Sequence, residues 1–164
     1  MQATRIELLQ SMPVFGAIRD DSLHFLLEVA RVVAVPAGEP FFREGEPGSS
    51  MFVLEAGRAA VVKHWQGRDY VVNRLDAGDC FGEMALMDLH PRSASVRAEK
   101  DCRAIELDAA DLHRLFKHDP EQFALMQMNV GREVCRRLRT TDELLFRAIR
   151  GETLSQGESR FLGA

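Results

Sequence analysis

Between Val32 and Leu107 the sequence breaks into short runs rich in β-branched and aromatic residues: VVAV, PFF, SMFVLEA, RAAVVKHW, DYVVNRL, SASVRA and CRAIEL. Gly38, Gly45, Gly48, Gly57, Gly67 and Gly78 punctuate them at spacings of about ten residues, a rhythm that predicts antiparallel strands in a sandwich or barrel. On either side the period changes. Residues 4–31 place Ile6, Leu9, Leu23, Leu26, Leu27 and Ala30 at helical spacing, interrupted by MPVFG, where Pro13 and Gly16 enforce a turn, so two short helices are expected. After Leu107 the helical period returns in DAADLHRLFKHD and again from Asp119. Asp119-Pro120-Glu121 is a helix start: a carboxylate N-cap, a proline at the first helical position and an acid facing the macrodipole. That helix runs to about Ile149, roughly 45 Å at 1.5 Å per residue, and the polar, glycine-containing residues 151–164 are expected to form a flexible tail. No internal repeat is present.

At 164 residues, with 46% hydrophobic and 28% charged content, the chain has the make-up of one globular domain, assigned to 1–150, plus an appendage. No window approaches the roughly 18 apolar residues that span a bilayer, and MQATRIELLQ lacks the layout of a secretory leader. A cytoplasmic protein with no membrane partner is expected. Cys80, Cys102 and Cys135 are odd in number and far apart, which favours buried free thiols over a disulfide framework or zinc knuckle. The net charge of −4 argues against general nucleic-acid binding. Arg132, Arg136, Arg137, Arg139, Arg147 and Arg150 crowd the last helix, but Glu133, Asp142 and Glu143 interleave with them, so a solvated helix face is expected.

The chemistry concentrates in FGEMALMDLHPRSASV, residues 81–96, where Glu83 and Arg92 stand in an otherwise apolar, small or turn-forming run. With LLQSMPVFGAI near the start and AGEPFFREGEPGSSMFVLEAGRAAVV in the middle, this cassette makes residues 9–107 resemble the cyclic-nucleotide-binding domain family. That family includes the catabolite activator protein, the regulatory subunits of cyclic-AMP-dependent protein kinase, and ligand-gated channels. The resemblance implies a mostly β fold with helices, a double-stranded β-helix or jelly-roll-like β-roll flanked by N-terminal helices and a long C-terminal helix. It also implies a site for a cyclic nucleotide and no metal or other cofactor.

A cyclic nucleotide carries a singly charged phosphodiester and a ribose 2′-hydroxyl, so its pocket needs an anion site beside a hydrogen-bond acceptor. Arg92 supplies a planar fork of donors suited to phosphate oxygens. Glu83 can accept from the 2′-hydroxyl, and Gly82 lets the backbone approach the sugar. Residues 83–87, with Met84 among them, are expected to form one helical turn whose free N–H groups face the ligand. Ser93 and the Ala94 amide complete the phosphate contacts, as the resemblance implies.

The bland reading of this stretch is an internal Glu83–Arg92 ion pair, or a vestigial site. A metal-dependent cupin enzyme would need a close histidine pair with a carboxylate, and His24, His64, His90, His113 and His118 provide no His-x-His. No nucleophile with a placed base is evident, so no enzymatic activity is expected.

Along the last helix Met128, Gly131, Cys135, Leu138, Asp142, Leu145 and Ile149 repeat at alternating spacings of three and four, a heptad seam. Leu125, Val134 and Leu138 form an adjacent stripe able to pack on the β-roll. The resemblance favours a parallel homodimer through this helix. It also implies that Thr141 and Asp142 touch the purine, one from each subunit, although relatives of the activator type carry a hydroxyl residue where this chain has Asp142. Thr141 can serve adenine with its hydroxyl oxygen, and with the family resemblance this puts cyclic AMP first as the expected ligand and cyclic GMP second. No helix-turn-helix domain, kinase-inhibiting segment or channel pore is recognisable, so the expectation is a stand-alone regulatory sensor acting through the C-terminal helix on a separate effector. The alternative is a ligand-free scaffold of the same fold that serves as a dimerisation module.

Overall fold

The computed structural model describes residues 2–151; the expected tail, apart from Gly151, lies outside the described residues. Helix α1 (Gln2–Gln10), a 3-10 turn (Pro13–Phe15) and α2 (Asp20–Val29) precede the strands. These are β1 (Arg31–Val35), β2 (Pro40–Phe42), β3 (Ser50–Ala56), β4 (Arg58–Trp65), β5 (Arg68–Asp76), β6 (Cys80–Phe81), β7 (Ser95–Ala98) and β8 (Cys102–Asp108). Between β6 and β7 lies the short α3 (Glu83–Asp88), and α4 (Ala109–His118) and α5 (Pro120–Ile149) end the described chain.

Two four-stranded antiparallel sheets, in the orders β1-β8-β3-β6 and β2-β7-β4-β5, form the roll. All seven runs read from the sequence are strands. Only β6 escaped that reading, because two residues carry no period, and it exists through its pairing of Phe52 with Phe81 and Val53 with Cys80.

Strand β3 shows why the first sheet stays where it does. Met51 to Leu54 are all buried, which looks unlike a half-exposed strand. Met51 and Val53 point to a core shared with Leu9, Phe15, Leu23, Leu26, Leu115 and Met126 of the helices. Phe52 and Leu54 point the other way, into the space between the sheets, with Leu75, Phe81, Val96 and Ala104. Strand β8 divides likewise, Ile105 and Leu107 toward the helices and Cys102 and Ala104 toward the roll. The first sheet is thus a middle layer, and its alternate residues serve two cores.

Helix α5 begins as expected: the Asp119 side chain accepts a hydrogen bond from the Gln122 amide, with Pro120 in the first turn. Its most deeply buried residues lie beside the stripe read from the sequence, whose Leu125 packs against the helix-side core and whose Val134 and Leu138 border the cavity next to the roll. Leu125 and Val134 are only partly buried and Leu138 is 58% exposed, whereas Gln122, Met126, Asn129, Val130 and Glu133 are buried. The polar members of that face have partners that make burial tolerable. Gln122 Oε1 accepts from the Arg19 amide at 2.8 Å, and Asn129 Nδ2 donates to the Gly16 carbonyl at 2.8 Å. The heptad positions are the more exposed ones: Met128, Leu138, Leu145 and Ile149 are more than half exposed, and Cys135 and Asp142 are exposed, although Leu138 also borders the cavity beside the roll. Cys80 and Cys102 are buried as expected; Cys135 is exposed on α5.

Candidate functional site

Arg92 is held by its own backbone before its side chain does anything. Its amide donates to the Glu46 carbonyl and its carbonyl accepts from the Gly45 amide, both at 2.9 Å, clamping the start of the β7 segment against the loop before β3. From there the side chain runs inward and is 6% exposed. Nη1 donates to the Ser50 carbonyl at 2.7 Å and the Gly82 carbonyl at 2.9 Å, Nη2 to Ser50 Oγ at 3.1 Å, and the guanidinium lies 4.0 Å over the Phe42 ring. Nε has no hydrogen-bond partner. Burial lowers the Arg92 pKa from its usual value, against the pull of Glu106, Glu46 and Glu83.

Two glycines make this seat. A Cβ on Gly48 would lie 2.3 Å from Arg92 Nε and 2.6 Å from Cζ. One on Gly82 would lie 2.8 Å from Nη1, and Gly82 also has a φ of +83°, a conformation side-chain-bearing residues rarely adopt. Gly82 is the N-cap of α3 and turns the chain so that Glu83 enters the interior.

Glu83 is 2% exposed, and its partner is not Arg92. The internal Glu83–Arg92 ion pair weighed from the sequence does not form; Glu83 Oε1 accepts from Arg137 Nη1 of α5 at 2.5 Å. Arg137 Nη2 also donates to the Cys80 carbonyl at 3.1 Å, and Nε lies 3.6 Å from Glu133 Oε1. Burial works against the Arg137 charge, but Glu83, the Cys80 thiol and Glu133 outweigh it and its pKa is raised. The Cys80 thiol beside them is pushed up to about 12, first by burial and then by Glu83. Arg137 is the residue that sequence reading assigned to a solvated face. The signal was there: Gln122, Met126, Asn129 and Glu133 step along α5 by four, three and four, and one more step of four reaches Arg137.

These groups wall a cavity of about 490 Å³ between the second sheet, α3 and α5. Gly82, Glu83, Met84, Arg92, Ser93, Ala94 and Thr141 line it, against an apolar wall of Phe42, Val61, Val72, Leu75, Phe81 and Leu138. Asp142 is exposed and does not line the cavity of its own chain. Thr141 Oγ1 donates to the Arg137 carbonyl at 2.9 Å. His118 stacks on Phe25 with ring centroids 4.2 Å apart. Among the described residues no three His, Cys, Asp or Glu side chains gather as a metal site, and no helix is long and apolar enough to cross a membrane.

Two antiparallel sheets rolled round an apolar cavity, with a buried cation and a buried carboxylate on one wall and a long helix alongside, define a small-ligand-binding β-roll. The chain belongs to the cyclic nucleotide-binding domain family, whose profile it matches over residues 32–119. It is 32% identical over 107 residues to a cAMP-dependent protein kinase regulatory subunit of Emericella nidulans, covering 65% of this chain and 26% of that protein. It is 26% identical over 155 residues to a CRP-like cAMP-activated global transcriptional regulator of Mycobacterium tuberculosis, covering 92% of this chain and 67% of the regulator. The Thermus thermophilus catabolite activator protein structure superposes with a TM-score of 0.72 at 28% identity, over 81% of this chain and 61% of that one.

Proposed function

We propose that this chain is a regulatory sensor that binds a cyclic purine nucleotide, cyclic AMP ahead of cyclic GMP, and that it signals by repositioning α5. The observation that carries the reading is Arg92: a buried guanidinium with no carboxylate partner among the described residues and an unpaired Nε, in one cavity with buried Glu83. A cyclic phosphate supplies the missing counter-charge there, bound by Arg92, the Ser93 hydroxyl and the Ala94 amide. Glu83 accepts from the ribose 2′-hydroxyl, Gly82 permits the sugar's approach, and Met84 and Thr141 flank the base. The kinase regulatory subunit and the transcriptional regulator, the first cAMP-dependent and the second cAMP-activated, support the ranking of the ligands.

Arg137 engages only Oε1 of Glu83, and Oε2 is buried without a hydrogen-bond partner, so a ribose 2′-hydroxyl accepted by Oε2 binds the same carboxylate that ties α3 to α5 and couples the sugar to the helix. The exposed stripe at Met128, Leu138, Leu145 and Ile149 supports a homodimer through α5, in which Asp142 of each chain approaches the purine held by the other. A cytoplasmic location, a non-enzymatic role, a separate effector protein and no nucleic-acid or membrane partner belong to the same proposal.

One observation favours the second reading, a ligand-free dimerisation scaffold: both Nη groups of Arg92 already donate within the chain. Titration calorimetry with cyclic AMP and cyclic GMP separates the two. Charged hydrogen bonds are worth about 1.5–3 kcal/mol each, so Arg92→Ala should weaken nucleotide binding at least about tenfold. A folded, dimeric wild type that binds neither nucleotide would leave the scaffold.

A further inference from the structure

Asn73 is a polar side chain of this cavity to which the phosphate, ribose and base contacts proposed above give no role. It is 4% exposed, and neither Oδ1 nor Nδ2 has a hydrogen-bond partner. Asparagine is depleted from strands, and a buried amide unpaired at both ends is costly to keep. Its placement has a backbone cause. Strand β5 pairs Asn73 with Val61 and Val71 with Val62, so Val72 is an extra residue, a β-bulge. The bulge breaks the alternation, and two successive residues, Val72 and Asn73, both line the cavity.

The register also gives its distance from the phosphate end. Val96, two residues after Ala94, pairs with Val61, which pairs with Asn73. Two strand spacings put Asn73 about 10 Å across the sheet from Val96. A nucleotide anchored by its phosphate at Arg92 to Ala94 carries its base over that span, toward Asn73.

We propose that Asn73 is a specificity-determining residue that reads the base and selects adenine; this rests on the cyclic-nucleotide reading of the cavity. A carboxamide presents a donor and an acceptor side by side in one plane. Adenine offers the matching pair on its N7 side, the N6 amino donor beside the N7 acceptor. Guanine presents two acceptors there, O6 and N7, so Oδ1 of Asn73 would face an acceptor with no proton between them. The cavity wall around it, Val61, Val72 and Leu75, offers no competing polar group.

The test is calorimetry of wild type and Asn73→Leu, which matches the side chain in size, with cyclic AMP, cyclic GMP and 7-deaza cyclic AMP, which lacks N7. Wild type should bind cyclic AMP at least about tenfold more tightly than the 7-deaza ligand, the equivalent of about 1.4 kcal/mol. Asn73→Leu should lose about that factor for cyclic AMP and no longer distinguish the two, while its ligand-free melting temperature stays level or rises. Wild type binding none of the three overturns the cyclic-nucleotide reading itself. Wild type binding cyclic AMP and its 7-deaza analogue equally overturns the role of Asn73 without any mutant. Unchanged discrimination in Asn73→Leu, or equal losses for both ligands, overturns it as well.

Discussion

Replacing Arg137 with methionine tests the link between α5 and the cavity. The exchange keeps most of the packing volume but removes the donor to Glu83, whose side chain is 3% exposed against 19% for Arg137. Breaking a buried ion pair from one side costs about 3–5 kcal/mol, because the remaining charge is desolvated with nothing to answer it. The lower end applies, since Arg137 keeps some contact with solvent and Arg92 still attracts Glu83. A loss of about 3 kcal/mol is roughly a hundredfold in the folding equilibrium. Glu83→Gln should cost less, about 1–2 kcal/mol, because Arg137 retains Glu133 and the Cys80 carbonyl. The double variant should be more stable than the sum of the single losses predicts by about 2 kcal/mol, since no unpaired charge remains. Urea denaturation of the four proteins, followed by circular dichroism, measures the cycle. The cycle repeated at saturating cyclic AMP should give a different coupling energy if the ribose binds the free Oε2 of the same carboxylate. An Arg137→Met cost below about 1 kcal/mol, or strict additivity, would refute the buried-pair argument. Equal coupling with and without nucleotide would separate α5 from the ribose end of the site.

Gly48→Ala should unseat Arg92, because the new methyl would overlap Nε and Cζ. It is expected to weaken cyclic AMP binding about as much as Arg92→Ala and to cost about 1–3 kcal/mol of stability; calorimetry showing wild-type affinity would contradict the seat described here. The Cys80 thiol, at about 12 against an ordinary 9.0, holds its proton more tightly in the folded chain. Its contribution is therefore complete below about pH 9 and is lost as pH rises toward 12, with a slope of up to about 1.4 kcal/mol per pH unit. Cys80→Ala should flatten that alkaline decline, and denaturation curves of the same slope for both proteins would count against it. Asp142→Ser should tighten the ligand-free dimer by removing facing carboxylates and shift preference further toward cyclic AMP; a monomer in analytical ultracentrifugation, with unchanged nucleotide preference, would sink the seam.

Local periodicity was enough for most of the secondary structure. The strands from Arg31 to Asp108, the turn at Pro13 and the start of α5 at Pro120 are written in alternation, glycine spacing and cap chemistry, all of which act within a few residues. The cassette was legible for the same reason, since Gly82, Glu83, Arg92 and Ser93 lie within one short stretch.

What only the tertiary structure decided is which distant groups meet these residues. Arg137 lies 54 residues from Glu83, and Ser50 lies 42 from Arg92. No local pattern encodes such contacts, because they depend on the rotation of α5 about its axis and on how the sheets close. Polarity misled in the same places. Gln122, Asn129, Glu133 and Arg137 look like surface residues until their partners are known, and a buried polar group is tolerable only once those partners are in place. Asn73 was out of reach for a different reason. A single extra residue at Val72 changes which side chains face inward, and strand alternation read from sequence assumes that no such residue exists.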